Sequence, residues 1–307
     1  MDGTIGVLLM AYGSPESLAE VKAYYTHIRG GTEPSAAEVG RLVARYARIG
    51  GKSPLHTITF EEARLLEERL NSAGKGNFKV YVGMKHCKPF IEDAVREMAG
   101  DMVGKAVALV LAPHYAKMSV GEYFRRVEEE NKRQGSTIAV SFVKDWHTNS
   151  HFIEAVSRNV ADAMEGFGAD AGKPFVIFSA HSLPARIIGE GDPYESQLKE
   201  SCGIVADRLG IGDWALAYQS IPARADNWLG PEIKQAIRSA GEKGYRDVVV
   251  CPIGFVSDHL EILHDIDIEC QSVAAENGIR LKRTESLNTD PLLIEALADS
   301  VWSAIQG

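Results

Sequence analysis

Val176-Ile-Phe-Ser-Ala-His-Ser-Leu-Pro184 is an apolar run that breaks off at a histidine, a serine and a proline. A short run of this kind, bounded by turn residues, reads as a strand covered on both faces, the situation of a parallel sheet. Val7-Leu-Leu-Met-Ala-Tyr-Gly-Ser-Pro15 has the same layout near the start of the chain. Outward from these two, strands are expected over 6–11, 80–84, 106–113, 137–143, 175–180, 215–219, 248–253 and 281–286. Amphipathic stretches at 57–70, 90–98, 120–131, 152–164, 195–208, 232–240, 260–277 and 292–305 separate them and read as helices. Asp290-Pro291 opens the last helix and Gly278 closes its predecessor, both usual end signals. This alternation predicts an α/β protein of doubly wound parallel sheets flanked by helices.

A weak internal repeat accompanies the alternation. The segment 107–124 resembles 249–264, each a strand, a proline, a serine and a helix. Each half then supplies about four strands. The Gly-, Ala- and Asp-rich stretch 166–174 is the expected boundary between halves 1–170 and 171–307. In such sheets ligands bind beyond the carboxyl ends of the strands, so residues just after strands are the ones to inspect.

Composition narrows the function. The chain has 307 residues, 45% hydrophobic and 24% charged, which are globular values that exclude long disorder and fibrous folds. Its net charge of −9 speaks against a nucleic-acid partner. No run reaches the length of a membrane helix and the N-terminus lacks a basic leader region, so a cytoplasmic protein without membrane insertion is expected. Cys87, Cys202, Cys251 and Cys270 are widely spaced with no CxxC pair, so reduced thiols are expected and no iron–sulfur cluster. The nucleotide-binding GxxxxGK[ST] and GxGxxG motifs and the hydrolase GxSxG elbow are all absent.

His181 ends the strand at 175–180, where an imidazole can serve as metal ligand or proton acceptor, or simply cap the turn. In Asp258-His-Leu-Glu-Ile-Leu-His-Asp-Ile-Asp-Ile-Glu269, helical spacing sets Glu261, Asp265 and Glu269 on one stripe with His264 beside it. Like charges four apart repel, and no lysine or arginine lies within the segment. A divalent cation such as Mg2+ or Fe2+ would relieve that repulsion, and a solvated acidic face is the plain alternative. Glu261-x-x-His264 also has the form of half a di-iron site, but no second such pair exists. The N-terminal third gathers Tyr12, Tyr24, Tyr25, Arg29, Arg45, Tyr46 and Ser53, a set suited to a flat ligand with carboxylates and equally to helix packing.

Together these segments resemble the ferrochelatase family. The resemblance is carried by Leu9-Met-Ala-Tyr-Gly-Ser-Pro15, Tyr24-Tyr-Thr-His-Ile-Arg29, Arg45-Tyr-x-x-Ile-Gly-Gly-x-Ser-Pro-Leu55 and Gly83-Met-Lys-His86. It continues through Leu111-Ala-Pro-His114, Ser179-Ala-His-Ser-Leu-Pro184, Gln219-Ser220, Trp228-Leu-Gly-Pro231 and Gly254-Phe-Val-Ser-Asp-His-Leu-Glu261, in family order. Within the family the chain is most similar to the bacterial type acting on coproporphyrin III, since it shows neither the presequence nor the cysteine-bearing extension of the eukaryotic type. The resemblance implies a chelatase-like fold and an enzyme that inserts Fe2+, as substrate, into coproporphyrin III, with no tightly bound cofactor. It implies His181 and Glu261 as the metal-handling pair and Asp265 and Glu269 as an outer acidic line. It matches Tyr12 to the tyrosine that ligates iron in the product, and Arg29, Arg45, Tyr46, Ser53 and Tyr123 to macrocycle or propionate contacts. Two departures stand out: Gly30 follows Arg29 where relatives often carry a second arginine, and His264 stands where tyrosine is frequent. A monomer with transient contacts to other haem-pathway enzymes is expected. The competing readings are a cobalt or nickel chelatase for a sirohydrochlorin-type ring and a non-catalytic porphyrin or haem carrier.

Overall fold

Eight strands form two wholly parallel four-stranded sheets in the computed structural model, which describes residues 3–135, 137–168, 172–222 and 227–306. The first sheet holds β1 (Ile5–Ala11), β2 (Phe78–Met84), β3 (Lys105–Val110) and β4 (Ala139–Val143) in the order β2-β1-β3-β4. The second holds β5 (Phe175–His181), β6 (Trp214–Gln219), β7 (Asp247–Cys251) and β8 (Arg280–Arg283) in the order β6-β5-β7-β8. The two orders are the same. The similar sequence segments fall on corresponding strands, β1 with β5 and β3 with β7. The expected run 248–253 leaves the sheet at Cys251 because Pro252 has no N–H to give a neighbouring strand.

Val7, Leu8, Leu9 and Met10 of β1 are fully buried, as a strand covered on both faces requires. Leu8 and Met10 join a core cluster with Ile91, Val95 and Met98 of α4 (Ile91–Gly100) and Val120, Tyr123 and Val127 of α5 (Val120–Arg133). α3 (Leu55–Ser72) packs on β2, and α12 (Pro291–Gln306) packs on α3, β3 and β4. Two helices not expected from periodicity precede α3: α1 (Val21–Ile28) and α2 (Ala36–Arg48). α2 carries an apolar stripe, Val39, Leu42, Val43 and Tyr46 at helical spacing, of which Tyr46 is buried, and a Ser35/Glu38 capping box marks its start, so both of its signals were present in the sequence.

In the second sheet, Ile177, Val248 and Val250 pack with Ile233 and Ile237 of α9 (Ile233–Glu242) and with Ile262, Ile266 and Cys270 further on. α6 (Ser150–Glu165) lies on β7 and β8 and against α8 (Tyr194–Leu209), with a short α7 (Arg186–Gly189) between β5 and α8.

The division of the chain differs from the expected 1–170 and 171–307. One unit runs to Trp146 and recovers Ser257–His259 and the chain from Asn288, while the other takes His147–Val256 and Leu260–Leu287. α6 joins the second unit because its apolar face is buried on β7 and β8. α12 returns to the first because it covers β3 and β4. A reading along the chain assumes contiguous halves and has no signal for such exchanges.

Candidate active site

His181 is the last residue of β5, and Glu261 stands at the second position of α10 (Leu260–Leu263), reached from β7 through a short turn. β5 and β7 are adjacent, and connections leave β5 towards β6 on one side and return to β7 on the other, which is the switch point where such sheets bind ligands. The turn comes close to β5: Gly254 N–H donates to the Ser179 carbonyl at 3.1 Å, and a Cβ on Gly254 would lie 2.6 Å from the Ala180 Cβ. Only glycine fits there, and this approach delivers the following segment to the end of β5.

The two expected metal-handling residues meet. His181 Nδ1 lies 2.9 Å from Glu261 Oε2. Ser220 Oγ donates to the same oxygen at 2.9 Å, and Gln219 Nε2 donates to the Glu261 carbonyl at 3.0 Å. Gln219 is itself held by Ser179 Oγ at 2.9 Å, and Tyr194 Oη donates to the His181 carbonyl at 3.0 Å. Ser220 adopts the left-handed backbone region, φ 61°, an uncommon choice for serine that aims its hydroxyl at the carboxylate. Ser220, Gln219 and Tyr194 were not singled out as site residues by motif chemistry. Gln219-Ser220 is one of the segments that carry the family resemblance and stands where β6 ends, beside β5, whereas Tyr194 at the start of α8 has no such signal.

Burial works against charging the His181 imidazole. The charge and hydrogen bond of Glu261, and then the charge of Asp265, outweigh it and raise the pKa above its ordinary value. A carboxylate only accepts, so in the neutral ring the proton sits on Nδ1 toward Glu261 and the Nε2 lone pair is left for substrate.

The acidic stripe differs from its expected form. The expected single helix over 260–277 is α10, a π-helical segment Asp265–Cys270 and α11 (Gln271–Glu276). Glu269 N–H donates to the His264 carbonyl, five residues back, at 3.0 Å. In an α-helix residues five apart stand about 140° apart around the axis; widening the turn brings them onto one face. His264, buried at 3% exposure, therefore joins Asp265 and Glu269 in one cluster whose ligand atoms lie within 4.8 Å of one another. The charge on this segment is not left uncompensated either. Lys234 of α9 pairs with Glu269, and Arg283 of β8 grips Asp267 with bonds of 2.7 and 3.0 Å. These cations lie far away in sequence and could not be seen by scanning 258–269.

In the other unit, Tyr12 directly follows β1 and leaves 44% of its surface exposed. Its ring packs on His86, centroids 4.5 Å apart, and His86 Nδ1 meets His27 Nδ1 at 3.0 Å. Burial, then the charges of Lys85, a protonated His27 and Arg126, push His86 down to about 3, and burial followed by Arg126 lowers His27 as well, so the neutral rings pair with one donating and the other accepting. Gly13 turns the chain at φ 86°, and a Cβ there would strike Cys87 Sγ at 2.6 Å. Tyr123, on α5, is buried, as are Tyr46 and Ser53, whose hydroxyl accepts from Leu55 N–H at the start of α3. Arg29 Nη1 is paired with Glu38 at 2.7 Å, and Arg45 lies on α2.

No helix among the described residues is long and apolar enough to cross a membrane. The ferrochelatase family model matches residues 4–305. The chain is 44% identical over 296 residues to the coproporphyrin III ferrochelatase of Halalkalibacterium halodurans, covering 96% of this chain and 95% of that one. It is 41% identical over 305 residues to that of Geobacillus sp. (strain WCH70), covering 98% of each. Among solved structures, the sirohydrochlorin chelatase SirB of Bacillus subtilis subspecies spizizenii matches with a TM-score of 0.62 at 12% identity, over 99% of this chain and 96% of that one, a likeness of fold. With its family order of motifs, its paired His181 and Glu261 and this match from end to end, the chain belongs to the ferrochelatase family.

Proposed function

We infer that the protein inserts Fe2+ into coproporphyrin III to give the iron porphyrin of haem biosynthesis. The observation that carries this reading is the His181–Glu261 contact, made by the strand end and the acidic helix of a ferrochelatase-family chain. The names of the relatives, coproporphyrin III ferrochelatases at 41–44% identity, support the substrate.

Insertion replaces two pyrrole protons by one Fe2+, so the site must accept protons and strip water from the ion. Nε2 of His181 accepts one of the two protons in this reading, and the other passes to water. Glu261 holds Nδ1–H, and it stabilises the imidazolium once a pyrrole proton has moved. Ser220 and Gln219 keep the Glu261 carboxylate and backbone in place, so that little reorganisation is needed as charge develops. His264, Asp265 and Glu269 form an outer group suited to a hard or borderline divalent ion on its way to His181, Mg2+ or Fe2+ alike. Tyr12 supplies the phenolic ligand to iron in the product, and Arg29, Arg45, Tyr46, Ser53 and Tyr123 contact the macrocycle and its propionates. A cytoplasmic enzyme, monomeric and without a tightly bound cofactor, fits this reading.

The test is an anaerobic assay of coproporphyrin III fluorescence. Fe2+-dependent loss of emission with the parent, and none with a folded His181→Ala variant that still binds porphyrin, is the expected result. Fe2+ insertion by that variant at the parent rate would remove His181 from the mechanism. A parent that metallates only a sirohydrochlorin-type ring with cobalt or nickel, or binds porphyrin without metallating it, would overturn the function.

A further inference from the structure

We propose that Lys85 is an anchor for one carboxylate of the porphyrin and so a specificity-determining residue; the inference rests on the porphyrin reading above. The pairing of β1 with β2 runs past the ends of both strands. Lys85 N–H donates to the Ala11 carbonyl at 2.9 Å and His86 N–H to the Tyr12 carbonyl at 3.0 Å. Lys85 is therefore held in register next to Tyr12 by the sheet itself. The Lys85 carbonyl is fixed in turn by the Arg126 guanidinium. Its ammonium lies over the Tyr123 ring, 4.9 Å from the centroid.

Lys85 lines an open cleft of about 1030 Å³ with Lys22, Arg125, Arg126 and Arg133. Those four cations already have carboxylates. Lys22 pairs with Glu33, Arg125 with Glu122 and Glu129, Arg126 with Glu92, and Arg133 with Glu130. Among the described residues lining this cleft, Lys85 is the cation whose ammonium has an aromatic face and no carboxylate partner. Burial lowers its pKa; Glu122 opposes that shift, and Arg126 and Arg125 add to it. A half-buried ammonium beside guanidiniums gains from an incoming anion more than an exposed one does, because less water competes. Its flexible stem lets the ammonium, a point charge, follow the carboxylate at the end of a mobile propionate chain.

The experiment is a titration of coproporphyrin III into the full-length parent, Lys85→Met and Lys85→Arg, read by quenching of tryptophan emission, with KM values for porphyrin and Fe2+ from the insertion assay. Lys85→Met keeps the stem over Tyr123 and removes the charge. Loss of one charge-assisted bond weakens binding roughly ten- to hundredfold. The porphyrin Kd and KM are expected to rise by that factor, the KM for Fe2+ to stay within twofold, and Lys85→Arg to recover more than half of the loss on a logarithmic scale. Should Lys85→Met fail to fold by near-ultraviolet circular dichroism, Lys85→Gln carries the same expectation. A porphyrin Kd within twofold of the parent, or a Lys85→Arg as weak as Lys85→Met, overturns the assignment while leaving the enzyme's function standing. A parent that does not bind coproporphyrin III removes the porphyrin reading itself.

Discussion

Replacing Glu62 by glutamine should remove most of a pH-dependent instability built into the first unit. Glu62 sits on α3, fully buried, and its Oε1 accepts from Ser257 Oγ at 2.6 Å. Among the described residues its other oxygen has no partner, and neither does the hydroxyl of Thr59 one turn earlier. Burial pushes its pKa from 4.5 up to about 8, with the Ser257 bond acting weakly in the opposite sense. A raised folded-state pKa means that the folded chain holds a proton that the unfolded chain releases. The contribution to stability is then complete below pH 4.5, falls as pH rises, and levels off above pH 8. At about 1.36 kcal/mol per pKa unit, the loss is under ~1 kcal/mol at pH 5, about 3 kcal/mol at pH 7 and about 4 kcal/mol at pH 8. Glutamine does not titrate. It introduces an N–H group in place of the unpartnered oxygen, a constant cost of roughly 1–3 kcal/mol. The difference in unfolding free energy between Glu62→Gln and the parent should therefore move by about 3 kcal/mol in favour of the variant between pH 5 and pH 8. Urea unfolding of both proteins at pH 5, 6.5 and 8 measures it, and titrations common to both cancel. A difference constant to within ~0.5 kcal/mol across that range would show that Glu62 ionises normally and that the reasoning from burial fails.

The remaining predictions concern the site. Glu261→Gln removes the charge that outweighs burial at His181, so the His181 pKa should fall below its present raised value; NMR titration of the ring measures this, and an unchanged or higher value would contradict it. Asp265→Asn combined with Glu269→Gln should raise the KM for Fe2+ severalfold while the KM for porphyrin stays within twofold; equal rises would point to a general structural defect. Coproporphyrin III, with four propionates against two in protoporphyrin IX, should have the higher kcat/KM with Fe2+ by about tenfold or more, each charge-assisted contact adding ~1.5–3 kcal/mol. Gly30, in place of a second arginine, narrows that margin, and an equal or higher value for protoporphyrin IX would refute the substrate.

The strand–helix alternation, all eight strands and the position of His181 at the carboxyl end of β5 were legible in the sequence, because each is recorded in local periodicity and turn residues. Apolar runs such as Val7–Met10 leave no doubt of their environment, and a residue that ends such a run in a parallel sheet must stand at the ligand-binding edge. The tertiary structure decided what depends on partners distant along the chain. α6 and α12 changed units because exposed sheet faces elsewhere needed cover. Lys234 and Arg283 pair with Glu269 and Asp267 of an acidic segment that carries no lysine or arginine of its own. Ser220 and Gln219 join Glu261 from the neighbouring strand β6. The placement of His264 with Asp265 and Glu269 depends on one widened helical turn, and an i→i+5 hydrogen bond leaves no repeating pattern for a sequence to display.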